Sequence, residues 1–240
     1  VEGRSPNRHN AFYLQVEPLE EPIARAIERG EISEGRVKKK EDKSWAVLQS
    51  LGVSNEEARQ YRNVFMGNVF LDKTKGEVHI GEVIELILDS FEAVMKQGPL
   101  AREPCQNLKI SLVDMKLHED AIHRGPSQVY PAILESLRGA FLKASPVLFE
   151  PVQTHLIEAP LDYMGSVTGL VASKRGLLID VEQKGIDVFI KAKIPVSEMI
   201  GWASDLRSLT EGRGVSSLIT QEFKQLPREL QDTVVRKIRD

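Results

Sequence analysis

Cysteine is nearly absent from this chain of 240 residues, in which Cys105 is the single example. One cysteine cannot form an intramolecular disulfide, so the fold depends on its packed core. Such sparing use of cysteine is typical of proteins in the reducing cytoplasm. No apolar run approaches the roughly 20 residues that a membrane-spanning helix needs, and the first residues do not resemble a secretory signal. We therefore expect a cytoplasmic protein without membrane contact.

Two further absences limit the functions open to the chain. The phosphate-binding pattern GxxxxGK[ST] does not occur, so we expect no nucleotide site of that kind. The net charge is only −3, from 32 basic and 35 acidic residues, so any nucleic-acid binding must depend on locally concentrated positive charge. The chain also opens on Val1 rather than methionine, and its first residues read as the interior of a longer protein. We expect a fragment.

Length and residue pattern predict two domains of the α+β class. A chain of 240 residues is too long for one small core and natural for two, and Pro146 and Pro151 mark a junction. In the first part, apolar periodicity and helix-capping patterns predict strands at residues 12–16, 69–71 and 108–117. They predict helices at residues 22–30, 45–51, 81–97 and 128–143, with one more starting at the capping-box pattern Ser54-x-x-Glu57.

The second part has the element order βαββαβ, which is the ferredoxin-like motif. Its predicted strands are residues 154–159, 177–182, 186–194 and 215–219, and its predicted helices are residues 163–173 and 197–209. The second helix should bury Met199, Ile200, Ala203 and Leu206. A last helix at residues 227–239 has a narrow apolar stripe that is suited to docking on another surface.

The loop between the strand at 108–117 and the helix at 128–143 is the candidate functional region. It contains His118, Glu119, Asp120, His123 and Arg124, and a Gly-Pro pair separates it from the helix. Loops held by rigid elements commonly carry function. Three interpretations compete: a metal site, a solvated polar connection without function, and a loop that stacks on and hydrogen-bonds to RNA.

The metal interpretation fails mainly on spacing. Zinc proteases use HExxH, whose two histidines lie at i and i+4 on one helical face. His118 and His123 are five residues apart, and the stretch does not have a helical pattern. The whole chain has only five histidines, His118 and His123 among them, and one cysteine, so few further ligands are available. A metal-dependent enzyme using His118, Glu119 and His123 remains as the alternative.

A basic run elsewhere in the chain gives a second candidate for nucleic-acid contact. Arg36, Lys38, Lys39 and Lys40 place four positive charges within five residues. Such a run is either a solvated surface or a set of phosphate contacts, and the residues alone do not decide between these two interpretations.

Several short runs resemble one known family, in the family's order. They are Ser-Pro-Asn-Arg-His-Asn at residues 5–10, Gly-Pro-Leu-Ala-Arg-Glu-Pro at 98–104, Asp-Ala-Ile-His-Arg-Gly at 120–125, Tyr-Met-Gly at 163–165 with Lys-Arg-Gly at 174–176, and Pro-Arg-Glu-Leu-Gln at 227–231. Together they resemble the elongation factor 2 family, the translocation GTPases of archaea and eukaryotes. Residues 125–128 look more like the archaeal form. The run at 120–125 speaks against a bacterial-type elongation factor G, the second alternative, which lacks the modified histidine.

The resemblance implies a carboxy-terminal fragment containing two of the family's domains. Domain four would comprise residues 1–150 with residues 221–240, would resemble the second domain of ribosomal protein S5, and would receive the last helix on its surface. Domain five would be the ferredoxin-like part at residues 151–220. GTP and magnesium would be needed by the full-length GTPase, but no cofactor, catalytic residue or metal site is expected in this fragment, which leaves open whether it counts as an enzyme.

The resemblance also implies a function for the loops. His123 matches the histidine that is converted to diphthamide, the target of ADP-ribosylating toxins, at a tip that enters the decoding site behind the moving tRNA. The candidates for RNA contact around it are Asn7, Arg8, His9, His118, Asp120 and Arg124, of which Asp120 and Arg124 are expected to shape the loop or to be recognised by the modifying enzymes. The implied partners are the rRNA of both ribosomal subunits, tRNA, mRNA and the diphthamide-synthesis enzymes, with the protein acting as a monomer.

Overall fold

A computed structural model describes residues 1–37, 43–75 and 80–240 of the chain. The chain divides into two compact units, the first formed by residues 1–146 with 235–240 and the second by residues 147–234. The junction therefore falls at 146/147, a few residues before the boundary that the sequence suggested at 150. No helix among the described residues is both long enough and apolar enough to cross a membrane.

The first unit is built on a sheet of six strands in the order β1-β2-β6-β5-β4-β3. The strands are β1 Glu2–Arg4, β2 Ala11–Pro18, β3 Gly35–Arg36, β4 Tyr61–Phe65, β5 Asn68–Asp72 and β6 Leu108–Lys116. Neighbouring strands are antiparallel, apart from the parallel pair β5 and β6. The helices of this unit are α1 Glu21–Glu28, α2 Lys43–Ser50, α3 Asn55–Ala58, α4 Ile80–Lys96 and α5 Pro126–Lys143.

Apolar side chains bury this sheet on both faces around β5. Phe70 of that strand belongs to the core cluster formed with α4 and α5, whereas Val69 and Leu71 belong to a second cluster formed with α1 and α2. Successive residues of a strand point to opposite faces, so these three consecutive residues pack into two separate core clusters. The strands β2 and β6 contribute Phe12 and Leu112 to the first cluster. This packing holds the strand pair in place, and the ends of that pair support the candidate site.

The first unit confirms the long elements that the sequence predicted and adds short ones. The helix expected at 81–97 is α4, the strand expected at 108–117 is β6, and Ser54 caps α3 by accepting a hydrogen bond from the Glu57 backbone N–H at 3.1 Å. The strands β1, β3 and β4 were missed. Two of them have three residues or fewer, which is too short to show an alternation.

The second unit confirms the ferredoxin-like prediction. Its elements are β7 Phe149–Pro160, α6 Met164–Ser173, β8 Leu177–Lys184, β9 Asp187–Pro195, α7 Trp202–Leu209 and β10 Val215–Gln225. The antiparallel sheet has the order β10-β7-β9-β8. Ile157, Val188, Ile190 and Ile194 form its core with residues of the two helices.

One predicted helix of the second unit is wrong in its first half. The chain between residues 197 and 209 makes a short 3-10 turn, breaks at Gly201 with φ +79°, and only then forms α7. Ile200 is therefore 86% exposed and Ala203 is exposed, whereas Trp202 and Leu206 are buried. Ile186, expected at the start of a strand, lies in the hairpin turn and is 82% exposed.

The tail also departs from the sequence prediction. The strand expected to end at Ile219 is β10, which pairs with β7 as far as Gln225. The final helix, α8 Arg228–Arg239, follows. Residues 221–234 consequently belong to the second unit, and only residues 235–240 belong to the first. Within the first unit, Arg239 donates a hydrogen bond from Nη2 to the Pro99 carbonyl at 2.8 Å.

Candidate nucleic-acid interface

Two loops of the first unit lie side by side because of how β2 and β6 pair. Ala11, the first residue of β2, lies opposite Lys116, the last residue of β6, in the antiparallel register. The first tip loop, residues 5–10, leads into β2, and the second tip loop, residues 117–125, follows β6. Segments 108 or more residues apart in the chain, such as Asn10 and His118, are thereby hydrogen-bonded to each other.

The two tip loops bring three histidines into ring contact. The ring centroids of His9 and His118 are 4.9 Å apart, those of His9 and His123 are 4.9 Å apart, and those of His118 and His123 are 4.6 Å apart. His9 is exposed, and the other two are partly exposed. We call these three residues the histidine cluster. Its rings meet edge-on or tilted and are open to solvent in whole or in part, and exposed aromatic rings are the kind of surface on which unpaired bases stack.

The geometry gives no support to a metal centre in the described ranges. In residues 1–37, 43–75 and 80–240, no group of three or more histidine, cysteine, aspartate or glutamate side chains is arranged to hold a metal ion. His118 Nδ1 is already used, because it accepts a hydrogen bond from the Asp120 backbone N–H at 3.0 Å. The alternative built on His118, Glu119 and His123 therefore lacks a converging set of ligands.

A short 3-10 turn at Ala121–Arg124 carries His123. Asp120 caps this turn, since its Oδ1 accepts from the Ile122 backbone N–H at 3.0 Å. The turn leaves Ile122 exposed over 78% of its surface while His123 leans towards the other rings. A large apolar side chain and an imidazole thus stand next to each other on the loop surface.

Arg124 lies beneath the loop rather than on its surface. Its side chain is only 4% exposed and forms an ion pair with Glu82 of α4 at 2.6 Å. Its Nη1 donates to the His118 carbonyl at 2.6 Å and to the Glu119 carbonyl at 2.9 Å. Arg124 therefore fastens the second tip loop to α4 and does not present its charge to a ligand.

Asn7 shapes the first tip loop. Its Oδ1 accepts from the His9 backbone N–H at 3.0 Å, and its own backbone N–H donates to Gln128 Oε1 at 3.0 Å. Arg8 between them has φ +61° and an exposed side chain. Of the non-histidine candidates named from the sequence, Arg8 is the cation that this loop turns outward.

Asn10 holds both loops, although it is not among the site residues predicted from the sequence. Asn10 is 1% exposed. Its Oδ1 accepts from the His118 backbone N–H at 3.0 Å, and its Nδ2 donates to the His123 carbonyl at 2.7 Å. The only signal in the sequence was its place at the end of the run 5–10, directly before a strand.

The second candidate region needs a correction. Arg36 lies in ion pairs with three carboxylates of α4, at 2.5 Å to Asp89, at 3.0 Å to Glu92 and in direct contact with Glu85. Its charge is neutralised within the unit and ties β3 to α4, so it is poorly placed for a phosphate contact. Lys38, Lys39 and Lys40 lie outside the described residues.

Comparison with protein families gives two matches, and together they account for most of the chain. The model of elongation factor G, domain IV, matches residues 30–145, and the model of the elongation factor G C-terminus matches residues 147–234. The boundary between these matches coincides with the boundary between the compact units.

Individual relatives match over the whole chain. Elongation factor 2 of Nanoarchaeum equitans is 46% identical over 243 residues, which covers 100% of this chain and 33% of that protein. Elongation factor 2 of Methanosphaera stadtmanae is 45% identical over 240 residues, with the same coverage. Elongation factor 2 of Pyrococcus horikoshii is 44% identical over 239 residues, covering 100% of this chain and 32% of that protein. The chain thus spans about one third of the length of these relatives. It belongs to the family of elongation factors G and 2, and it corresponds to domain IV and the carboxy-terminal domain of that family.

Proposed function

We propose that this chain is the ribosome-engaging part of a GTP-dependent translocation factor. In this proposal the first unit inserts its tip loops into the decoding site and follows the tRNA and mRNA as they move. The second unit approaches rRNA of the large subunit. In this proposal GTP and magnesium act in the remaining part of such a factor.

The histidine cluster is the observation that carries this proposal. Three imidazoles from two loops are held at the ends of rigid, paired strands and remain open to solvent in whole or in part. Aromatic rings of this kind stack on RNA bases with little regard to base identity, since every base has a π-face. A factor that must follow every codon needs a contact of that type.

His123 is the residue that we propose is modified to diphthamide. Its backbone carbonyl is anchored by Asn10, and its side chain is partly exposed. A fixed backbone with an accessible ring suits both an enzyme that builds an extension on the imidazole and a later contact with RNA. The cationic extension would reach phosphate and ribose groups beyond the protein surface, and an ADP-ribosylating toxin would find the same group accessible.

The remaining tip residues divide into contacts and supports. His9, His118, Arg8 and the apolar Ile122 are the proposed contacts with RNA, because they form the exposed or partly exposed surface of the loops. The supports are Asn7, Asp120 and Arg124, whose side chains are spent on hydrogen bonds within the loops. We do not extend the proposal to Arg36.

The test is the modification state and activity of His123. We expect peptide mass analysis of protein from the native host to show added mass on the peptide with His123. In a complete translocation factor carrying this segment, His123→Ala should impair translocation fidelity and leave nucleotide binding in the absence of ribosomes unchanged. An unmodified His123 in a host with the full modification pathway, or a loss of nucleotide binding in the variant, would contradict the proposal.

A further inference from the structure

We propose that Asn10 is the positioning residue of the histidine cluster: its single side-chain amide holds His118 and His123 in register. The inference rests on the proposed function only where modification of His123 serves as a readout. The starting observation is that one buried amide bonds to the backbone of both histidines, at 3.0 Å to the His118 N–H and 2.7 Å to the His123 carbonyl.

The hydrogen bonds define which way the amide must face. An asparagine side chain has two donor hydrogens on Nδ2 and an acceptor at Oδ1. Here Oδ1 meets a backbone N–H, while Nδ2 meets the His123 carbonyl and, at 3.2 Å, Ser5 Oγ. Rotating the amide by half a turn would place donor against donor and acceptor against acceptor. The site therefore accepts one orientation and requires both a donor and an acceptor.

No other side chain of similar size meets this requirement. Aspartate has the same shape, but its carboxylate cannot donate to the His123 carbonyl and would repel it. Leucine fills the space, yet it leaves the His118 N–H without its acceptor and the His123 carbonyl with only the longer hydrogen bond from Asn7 Nδ2 at 3.4 Å, which is costly. Glutamine is one methylene longer, and a site that is 1% exposed has no room for it.

The contacts of Asn10 differ in kind from those of Arg124. Arg124 bonds to the carbonyls of His118 and Glu119 and to Glu82, so it attaches the second tip loop to α4. Asn10 belongs to the first tip loop and bonds to the second at both histidines. The third ring, that of His9, belongs to the residue directly before Asn10 in the same loop. Loss of Asn10 should therefore separate the rings without detaching the loop from α4.

The chain supplies a matched control in Asn68. This asparagine is also fully buried in the first unit. Its Oδ1 accepts from the Leu108 N–H at 3.0 Å, and its Nδ2 donates to backbone carbonyls including that of Cys105 at 2.9 Å. Asn68→Asp thus removes the same kind of donor from the same kind of site at a different place in the unit.

The first measurement is NMR of the 240-residue chain with labelled histidines. Both Asn10→Asp and Asn68→Asp should lower the urea midpoint. Only Asn10→Asp should abolish the cross-relaxation between the rings of His9, His118 and His123 and shift their imidazole resonances. Unchanged ring contacts in Asn10→Asp, or equal loss in Asn68→Asp, would overturn the inference. If Asn10→Asp does not fold, Asn10→Ser is measured by the same criteria.

The second measurement is the rate at which the diphthamide-synthesis enzymes modify His123. Displacements near 1 Å lower the rates of well-positioned reactions by about a hundredfold. We expect a loss of that order for Asn10→Asp and none for Asn68→Asp. Equal rates for wild type and Asn10→Asp would refute the positioning role. If the wild-type chain is not modified at all, the proposed function fails, and the ring contacts measured by NMR still decide the role of Asn10.

Discussion

At the scale of single residues, buried polar side chains must find hydrogen-bond partners within the fold. His155 in the second unit is an example outside the candidate site. Trp202 Nε1 donates to Ser216 Oγ at 3.1 Å, and that hydroxyl lies 2.9 Å from His155 Nδ1. Because Ser216 accepts from the indole, its own hydrogen is available to His155 Nδ1. The proton of the neutral imidazole then lies on Nε2, which is 3.0 Å from Gln153 Oε1. Every polar atom of the ring is satisfied in the neutral form.

This arrangement predicts a dependence of stability on pH. Burial lowers the pKa of His155 below its ordinary value of 6.5, since burial disfavours the charged form. At a pH between the lower pKa of the folded state and 6.5, the unfolded chain therefore binds a proton at His155 that the folded chain does not bind. The stability contributed by His155 is complete above pH 6.5 and is lost as the pH falls below that value, towards the lower pKa of the folded state.

Urea unfolding at pH values between 7.5 and 5 measures this effect, in a Trp45→Phe background that leaves Trp202 as the single tryptophan reporting on the second unit. We expect the free energy of unfolding to fall with pH more steeply in the wild-type chain than in His155→Gln, which cannot take up the proton. Equal slopes for the two proteins would show that His155 does not carry the effect. Comparing slopes rather than absolute stabilities removes the contribution of the other titrating groups.

At the scale of elements, the predictable parts of the fold are those whose pattern is long and local. The helix α4 has 17 residues with a continuous apolar stripe, and β9 alternates without interruption from Val188 to Ile194. The break before α7 could not be seen in this way, because Met199, Ile200, Ala203 and Leu206 have helical spacing that the backbone does not follow. Gly201 is the residue that allows the break.

Two glycine-to-alanine substitutions distinguish a glycine that is needed for its left-handed backbone from one that only lowers the helix propensity. Gly201 has φ +79°, a conformation that costs a residue with a Cβ about 1–2 kcal/mol. Gly169 lies on the exposed side of α6, and a Cβ there would meet nothing within 4 Å. We expect Gly201→Ala to lower the free energy of unfolding by about 1 kcal/mol and Gly169→Ala to raise it by about 0.5–1 kcal/mol. Urea unfolding of both variants checks this, and a stabilised Gly201→Ala would refute the left-handed conformation.

At the scale of the whole molecule, the sequence predicted the class of fold and half of the site. The loop with His118 and His123 between a strand and a helix could be read directly, because both flanking elements have clear periods. That residues 5–10 lie against it came from the resemblance to a family. The buried role of Asn10 could not be predicted, because its partner His123 lies 113 residues away. For Arg124 the resemblance implied a loop-shaping role, but its burial against Glu82, 42 residues away, could not be predicted.

At Arg36, the local sequence suggested a phosphate contact that residues distant in the chain argue against. Arg36 was read with its neighbours in the chain as part of a local positive charge. The fold instead pairs it with Glu85, Asp89 and Glu92, which are about 50 residues away in the sequence and lie on one face of α4. Local charge density in a sequence counts the cations but not the carboxylates that the fold places beside them.

The central claim, that the tip loops face RNA of the decoding site, can be tested by directed hydroxyl-radical probing from a single engineered thiol. Ile122→Cys places the thiol at a side chain that is 78% exposed, whereas the native Cys105 is only 7% exposed. Burial raises the pKa of Cys105 to about 11, so it should not compete for the iron chelate. Ile186→Cys, at a residue of the second unit that is 82% exposed, is the matched control.

With the labelled chain carried in a translocation factor bound to ribosomes, we expect Ile122→Cys to cleave small-subunit rRNA at the decoding site and Ile186→Cys to leave that site intact. Cleavage of the decoding site from both positions, or from neither, would contradict the account.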